Sequence, residues 1–107
     1  MKYKINYTKS ALDDLDAIYD YIAFSLKEPS IAENLISCII QSARTLEEMP
    51  NRHRICDEEV LEKQNIRIMP VKNYIVVYVP DEEKKTVTIL RVMYGGRDIS
   101  KQLDNLR

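Results

Sequence analysis

The stretch from Ile66 to Ile99 constrains the fold more than any other part of the chain. Tyr74-Ile75-Val76-Val77-Tyr78-Val79 and Thr86-Val87-Thr88-Ile89-Leu90-Arg91-Val92-Met93-Tyr94 are rich in β-branched and aromatic residues, and they flank a charged break from Pro80 to Lys85. Two such runs around a polar break predict a β-hairpin. Pro80 lacks a ladder donor and is expected to end the first strand, while the acidic and lysine residues after it hold the tip in water. Gly95-Gly96 is expected to stop the second strand, where the backbone is free to take positive φ. Asp98 then stands as N-cap of a short tail helix carrying Ile99, Leu103 and Leu106.

Ile66 to Met69 adds a third strand, making a meander. Ile75, Val77 and Val79 alternate against Tyr74, Val76 and Tyr78, and Leu90 and Val92 against Ile89, Arg91 and Met93. Both faces are apolar, as a central strand pair requires. Arg67 and Arg91 interrupt the strands at mid-length. On a sheet face not covered by helices they would form a small anion-attracting concavity, with Arg97 at its lip.

The N-terminal half supplies the cover. Tyr3, Ile5 and Tyr7 alternate with polar residues, which predicts a short strand at the sheet edge. Thr8 or Ser10 can cap a helix from about Lys9 to Ser25, with Leu12, Leu15, Ile18, Tyr19, Ile22 and Leu26 on its apolar face. Asp13, Asp14, Asp16 and Asp20 fall mostly off that face and read as a solvated acidic surface that repels nucleic acid. Pro29 disfavours a helical Glu28. Ser30 with Glu33 forms a capping box opening a second helix that runs to about Met49. Its stripe is Ile31, Leu35, Ile39, Ala43 and Leu46, widened by Ile36 and Ile40. A helix apolar that far round needs cover on two sides, from its partner helix and the sheet or from another polypeptide. Two helices joined by a few residues make an antiparallel hairpin that buries its stripe on the sheet. The expected fold is therefore α+β: an N-terminal strand, an αα-hairpin packed on one face of a mainly antiparallel four-stranded sheet, and a short C-terminal helix.

The 107 residues suit one domain spanning the whole chain. No apolar run approaches the ~20 residues that span a bilayer, and Met1 to Asn6 carries no apolar signal-peptide core, so a cytoplasmic protein without a membrane partner is expected. Cys38 sits among isoleucines as a small hydrophobe, and nothing marks Cys56 as reactive. With 1 His and no paired cysteine motif, no metal or cofactor is expected. His53, between Arg52 and Arg54, reads as a loop residue rather than a general base. The net charge of −1 argues against broad phosphate binding. Lys84 to Arg107 nevertheless holds 3 Lys and 3 Arg against 2 Asp, so this end is +4 and the rest of the chain −5.

The string from Thr86 to Ile99, with Leu90-Arg91-Val92 followed by Tyr94, the glycines and Arg97-Asp98, resembles the C-terminal signature of the RelE/ParE superfamily of bacterial toxins. Tyr74 and Tyr78, the Pro50 loop, and Tyr7 with Ser10-Ala11 and Asp14-Leu15 are similar to it as well. The resemblance covers nearly the whole chain. It implies a growth-inhibiting toxin of a type II toxin–antitoxin system, linked to plasmid stabilisation and neutralised by a cognate antitoxin protein. The antitoxin would dock on the wide face of the second helix, at Ile36 and Ile40. A homodimer or a toxin–antitoxin heterotetramer is compatible with it.

The superfamily divides by target. RelE-like members cleave mRNA on the ribosome, which needs an activated 2′-hydroxyl, a stabilised phosphorane and a protonated leaving oxygen. They often carry an Arg directly after the first aromatic of the central strand. Here that residue is Ile75, and no tyrosine follows Arg97. Loss of one such cation costs orders of magnitude in rate. The resemblance therefore implies the ParE-like branch, which poisons DNA gyrase by binding. The residues implied in target binding are Arg91, Tyr94, Arg97 and Asp98. The alternatives are a ribosome-dependent endoribonuclease, with Arg67, Arg91, Tyr94 and Arg97 as a rearranged catalytic site, and a non-toxic relic that still binds its antitoxin.

Overall fold

The structure, a computed structural model, describes residues 2–50 and 65–95. The elements run in the order β1 (Lys4–Tyr7), α1 (Lys9–Asp20) with a π-helical turn over Tyr21–Ser25, α2 (Pro29–Arg44) with a 3₁₀ turn over Thr45–Glu47, β2 (Arg67–Val71), β3 (Tyr74–Asp81) and β4 (Thr86–Tyr94). The sheet order is β1-β4-β3-β2. The meander β2-β3-β4 is antiparallel, and β1 joins the edge parallel to β4, Lys4 opposite Thr86 and Tyr7 opposite Ile89. The expected α+β fold, with two helices on a mainly antiparallel four-stranded sheet, is the one observed. The expected tail helix, Cys56, His53, Arg97 and Asp98 lie outside the described residues.

Thr8 is the cap of α1: its Oγ1 accepts the Ala11 amide at 3.0 Å. The second cap differs from expectation. Pro29 and Ser30 lie inside the first turn of α2, and Glu28 is the capping residue, without a side-chain cap bond. Proline at the first helical position loses no helical hydrogen bond, so the helix starts earlier than the Ser30–Glu33 box predicts. The hairpin between the helices turns through Lys27 at φ 57°.

The helices bury most of the expected stripes, Leu15, Ile22, Leu35, Ile39, Ala43 and Leu46, but shift them toward alanines at Ala11, Ala23 and Ala32. Ala11, Leu15, Ile22 and Ala23 face inward from the first helical segment, and Ala32, Leu35, Ile39, Ala43 and Leu46 from the second. Leu12, Leu26 and Ile31, expected inside, are each at least half exposed. Ala11, Ala32 and Ala43 are fully buried, so the inward line passes through these small residues. Leu12 and Ile31 each lie one residue away from such an alanine, about 100° round the helix, and so turn outward.

Met69, Val71, Val76, Tyr78, Val87, Ile89 and Val92 complete this core from the sheet. The opposite face holds a second cluster of Ile66, Ile68, Ile75, Val77 and Met93, with Leu90 packed against it. Ile89 and Val92 thus share a face, while Leu90 joins Met93 on the other, contrary to simple alternation. A bulge causes this: Val77 pairs with Arg91 and Tyr78 with Ile89, so Leu90 is the extra residue.

Pro80 does not end β3. It pairs with Val87, and Asp81 with Thr86. β2 has already stopped, since its pairing reaches only Tyr78, so the missing donor of Pro80 lies on an unpaired side. Asp81 Oδ1 then accepts the amides of Glu83 and Lys84 at 3.0 and 3.1 Å, and Lys85 closes the turn at φ 54°.

Candidate functional site

Beyond Ile89, β4 loses its β1 neighbour, and α1 takes over that edge. Thr8 donates its amide to the Ile89 carbonyl at 3.0 Å and its hydroxyl to the Leu90 carbonyl at 2.8 Å. Further along the helix, Asp14 Oδ2 accepts the Val92 amide at 2.9 Å. The same carboxylate receives Arg91 in a two-pronged contact, Nε to Oδ2 at 2.7 Å and Nη2 to Oδ1 at 2.9 Å. The two side chains are only 21% and 17% exposed. The bond to Asp14 raises the Arg91 pKa further above its ordinary value, against the opposing effect of burial. Asp14 is therefore an inward-facing partner, not part of a solvated acidic surface.

This pair sits at the base of a groove of about 620 Å³ whose walls include Ile18 and Tyr21 from the helix and Tyr74, Met93 and Tyr94 from the sheet. Tyr74 and Tyr94 meet edge to face, ring centres 5.7 Å apart, and Tyr94 remains half exposed at the rim. The π-helical turn begins at Tyr21, and it lets Ile22 and Ala23 both stay buried while Tyr21 stays at the groove. Gly95 comes next after Tyr94, without positive φ. Its amide donates to the Asn73 carbonyl at 2.9 Å, and a Cβ there would stand 3.3 Å from that oxygen. The glycine serves this close approach rather than a left-handed turn.

The anticipated concavity of Arg67 and Arg91 does not form. Arg67 pairs in register with Tyr78 and alternates with Met69 and Val71, so it belongs to the helix-covered face. The Arg91 guanidinium is turned to Asp14. Of the residues read as a site from sequence, Arg91 and Tyr94 are brought together at one groove, and Arg67 is not. Asp14, Tyr21 and Tyr74 were missed as groove residues. Asp14 and Tyr74 entered the sequence reading only through the family resemblance, and the spacing of Asp14 from Thr8 has meaning only once α1 is known to lie along β4.

A second groove, of about 440 Å³, lies on the helical hairpin between Tyr19, Ile36, Ile40 and Arg44, with Glu33 and Gln41 at its margin. Ile36 packs partly on the core and Ile40 is 39% exposed. The chain's own helix and sheet thus leave part of the wide apolar face of α2 uncovered.

The family profile described as ParE toxin of type II toxin-antitoxin system, parDE, matches residues 5–99. The chain belongs to the ParE toxin family. A chromosomal ParDE system from P. aeruginosa has a similar chain, with a TM-score of 0.71 and 23% identity over 87% of this chain and 96% of that one. The RelBE2 toxin–antitoxin complex of Mycobacterium tuberculosis is similar at a TM-score of 0.65 and 23% identity, covering 88% and 92% of the two chains. The archaeal RelE–RelB complex of Pyrococcus horikoshii is similar at 0.63 and 16%, covering 92% and 100%. At these identities the likeness establishes the fold that this ParE-family chain shares with the matched chains. No curated protein matches it in sequence. Among its described residues no helix is long and apolar enough to cross a membrane.

Proposed function

We propose that this type II toxin inhibits growth by binding DNA gyrase and stabilising its cleaved-DNA state, and that a cognate antitoxin neutralises it by docking a helical or extended segment along α2. The observation that carries the target is Ile75. It stands where RelE-like nucleases often carry an arginine, and it is buried in an aliphatic cluster with Ile66, Ile68, Val77 and Met93. Among the described residues that cluster presents aliphatic and thioether side chains and no cation to a phosphorane, which favours a mechanism of binding over one of proton transfer and charge stabilisation. The target-binding face is the outgoing end of β4 together with the residues just beyond it: Tyr94, Arg97 and Asp98, with Arg91 at its base. The antitoxin-binding face is the groove at Ile36 and Ile40, where an apolar helix face meets a polar margin.

Purified protein tested on gyrase and in a cell-free translation system separates the readings. Gyrase-dependent linear DNA with undiminished translation is the expected result. New mRNA ends that need ribosomes would instead establish the nuclease, and no effect in either assay would leave an antitoxin-binding relic. Replacing Ile36 and Ile40 together by Asp is expected to abolish capture by the antitoxin encoded beside the toxin while leaving gyrase inhibition intact.

A further inference from the structure

Among the described residues, the outgoing half of β4 has no strand on the side where β1 ends, since the β1 register stops at Ile89. Side chains of α1 and its cap continue the ladder in its place. Thr8 supplies a donor to the Leu90 carbonyl and Asp14 an acceptor to the Val92 amide. Asp14 can perform this role only if its carboxylate is held against the strand, and the Arg91 fork holds it there with two further bonds. The bulge at Leu90 lies beside these two side-chain supports. Two residues beyond Val92, Tyr94 meets Tyr74 and the chain leaves the sheet.

We propose that Asp14 and Arg91 are positioning residues: together they replace the missing strand, set the outgoing end of β4 and the Tyr74–Tyr94 edge for target binding, and leave Arg91 without a target contact of its own. The proposal rests on the reading of this end as the target-binding face. Arg91 has its Nε and one terminal nitrogen committed to a single carboxylate in a partly buried pair. A bidentate fork of this kind is a geometric device that lysine cannot reproduce, although lysine keeps the charge.

The R91K variant is therefore decisive. R91A, R91K and D14A are each expected to weaken growth inhibition and target binding by at least tenfold, and the D14A/R91A double variant no further than the weaker single, because the two residues act as one unit. D14N, which keeps an oxygen for the Val92 amide, supplies a milder variant should D14A fold poorly. The salt dependence of binding should keep its wild-type slope in R91A. Wild-type activity in R91K, additive losses in the double variant, or a flatter salt dependence in R91A would each overturn the proposal.

A readout without the target distinguishes this from failure of the gyrase reading. In the isolated toxin, D14A and R91K should speed hydrogen exchange at the Val92 amide and shift the Tyr94 ring resonances, with the Val76 and Val87 amides still protected. An unmoved Tyr94 ring sinks the positioning role whatever the target proves to be.

Discussion

Tyr78 shows how one polar atom ties separate parts of the chain together. Its ring is fully buried in the helix-side core, and its hydroxyl donates to the Pro50 carbonyl at 2.9 Å. A buried carbonyl that loses its donor keeps its desolvation cost without the compensating bond. Tyr78→Phe is thus expected to destabilise the protein by about 1–3 kcal/mol, read as a lower urea midpoint with an unchanged slope. Tyr7 makes the opposite use of burial. Desolvation raises its phenol pKa, so the folded state holds the proton more tightly than the unfolded one. Its contribution to stability is whole below the unfolded value near ~10 and is lost as pH rises through the higher folded value. Unfolding midpoints measured across the alkaline range should fall across that window, and Tyr7→Phe should flatten the fall. Both tyrosines were legible in sequence as alternating strand residues. Neither hydroxyl's environment was, because Pro50 and Tyr78 lie 28 residues apart.

The second helix separates burial from apolarity. Ile39 and Ile40 are neighbours of identical chemistry, yet Ile39 is fully buried and Ile40 is 39% exposed. Ile39→Ala removes packed volume and should cost about 2–5 kcal/mol in chemical denaturation. Ile40→Ala should change stability by about 0.5 kcal/mol or less while weakening antitoxin capture measured by calorimetry. The period of the helix was readable, and so was the excess width of its apolar face. Leu35, Ile39, Ala43 and Leu46 were readable as its buried line, whereas the fully buried Ala11 and Ala32 were not, because large aliphatic residues dominate the periodic signal. The same limit applies to β4. Its strand character comes from composition, but the Leu90 bulge depends on register with β3, and a shift of one residue exchanges the faces.

Across the molecule, local order and long-range closure have different origins. The strand, the helical hairpin and the meander arise from periodicity, turn chemistry and β-branched runs, which act over a few residues and so can be read along the chain. The β-hairpin and its place beside a covered face were legible for that reason, as was the edge position of β1. The partner of each charge could not be read. Arg91 and Asp14 are 77 residues apart, and their meeting requires α1 to run along the edge that β1 leaves open. Arg67 and Arg91 look alike in sequence, each a cation in an apolar strand, yet one lies on the helix-covered face and the other grips a helix carboxylate. A residue type carries its charge wherever it stands. Whether that charge is offered outward or consumed within the fold depends on which distant group the packed backbone brings within about 3 Å of it.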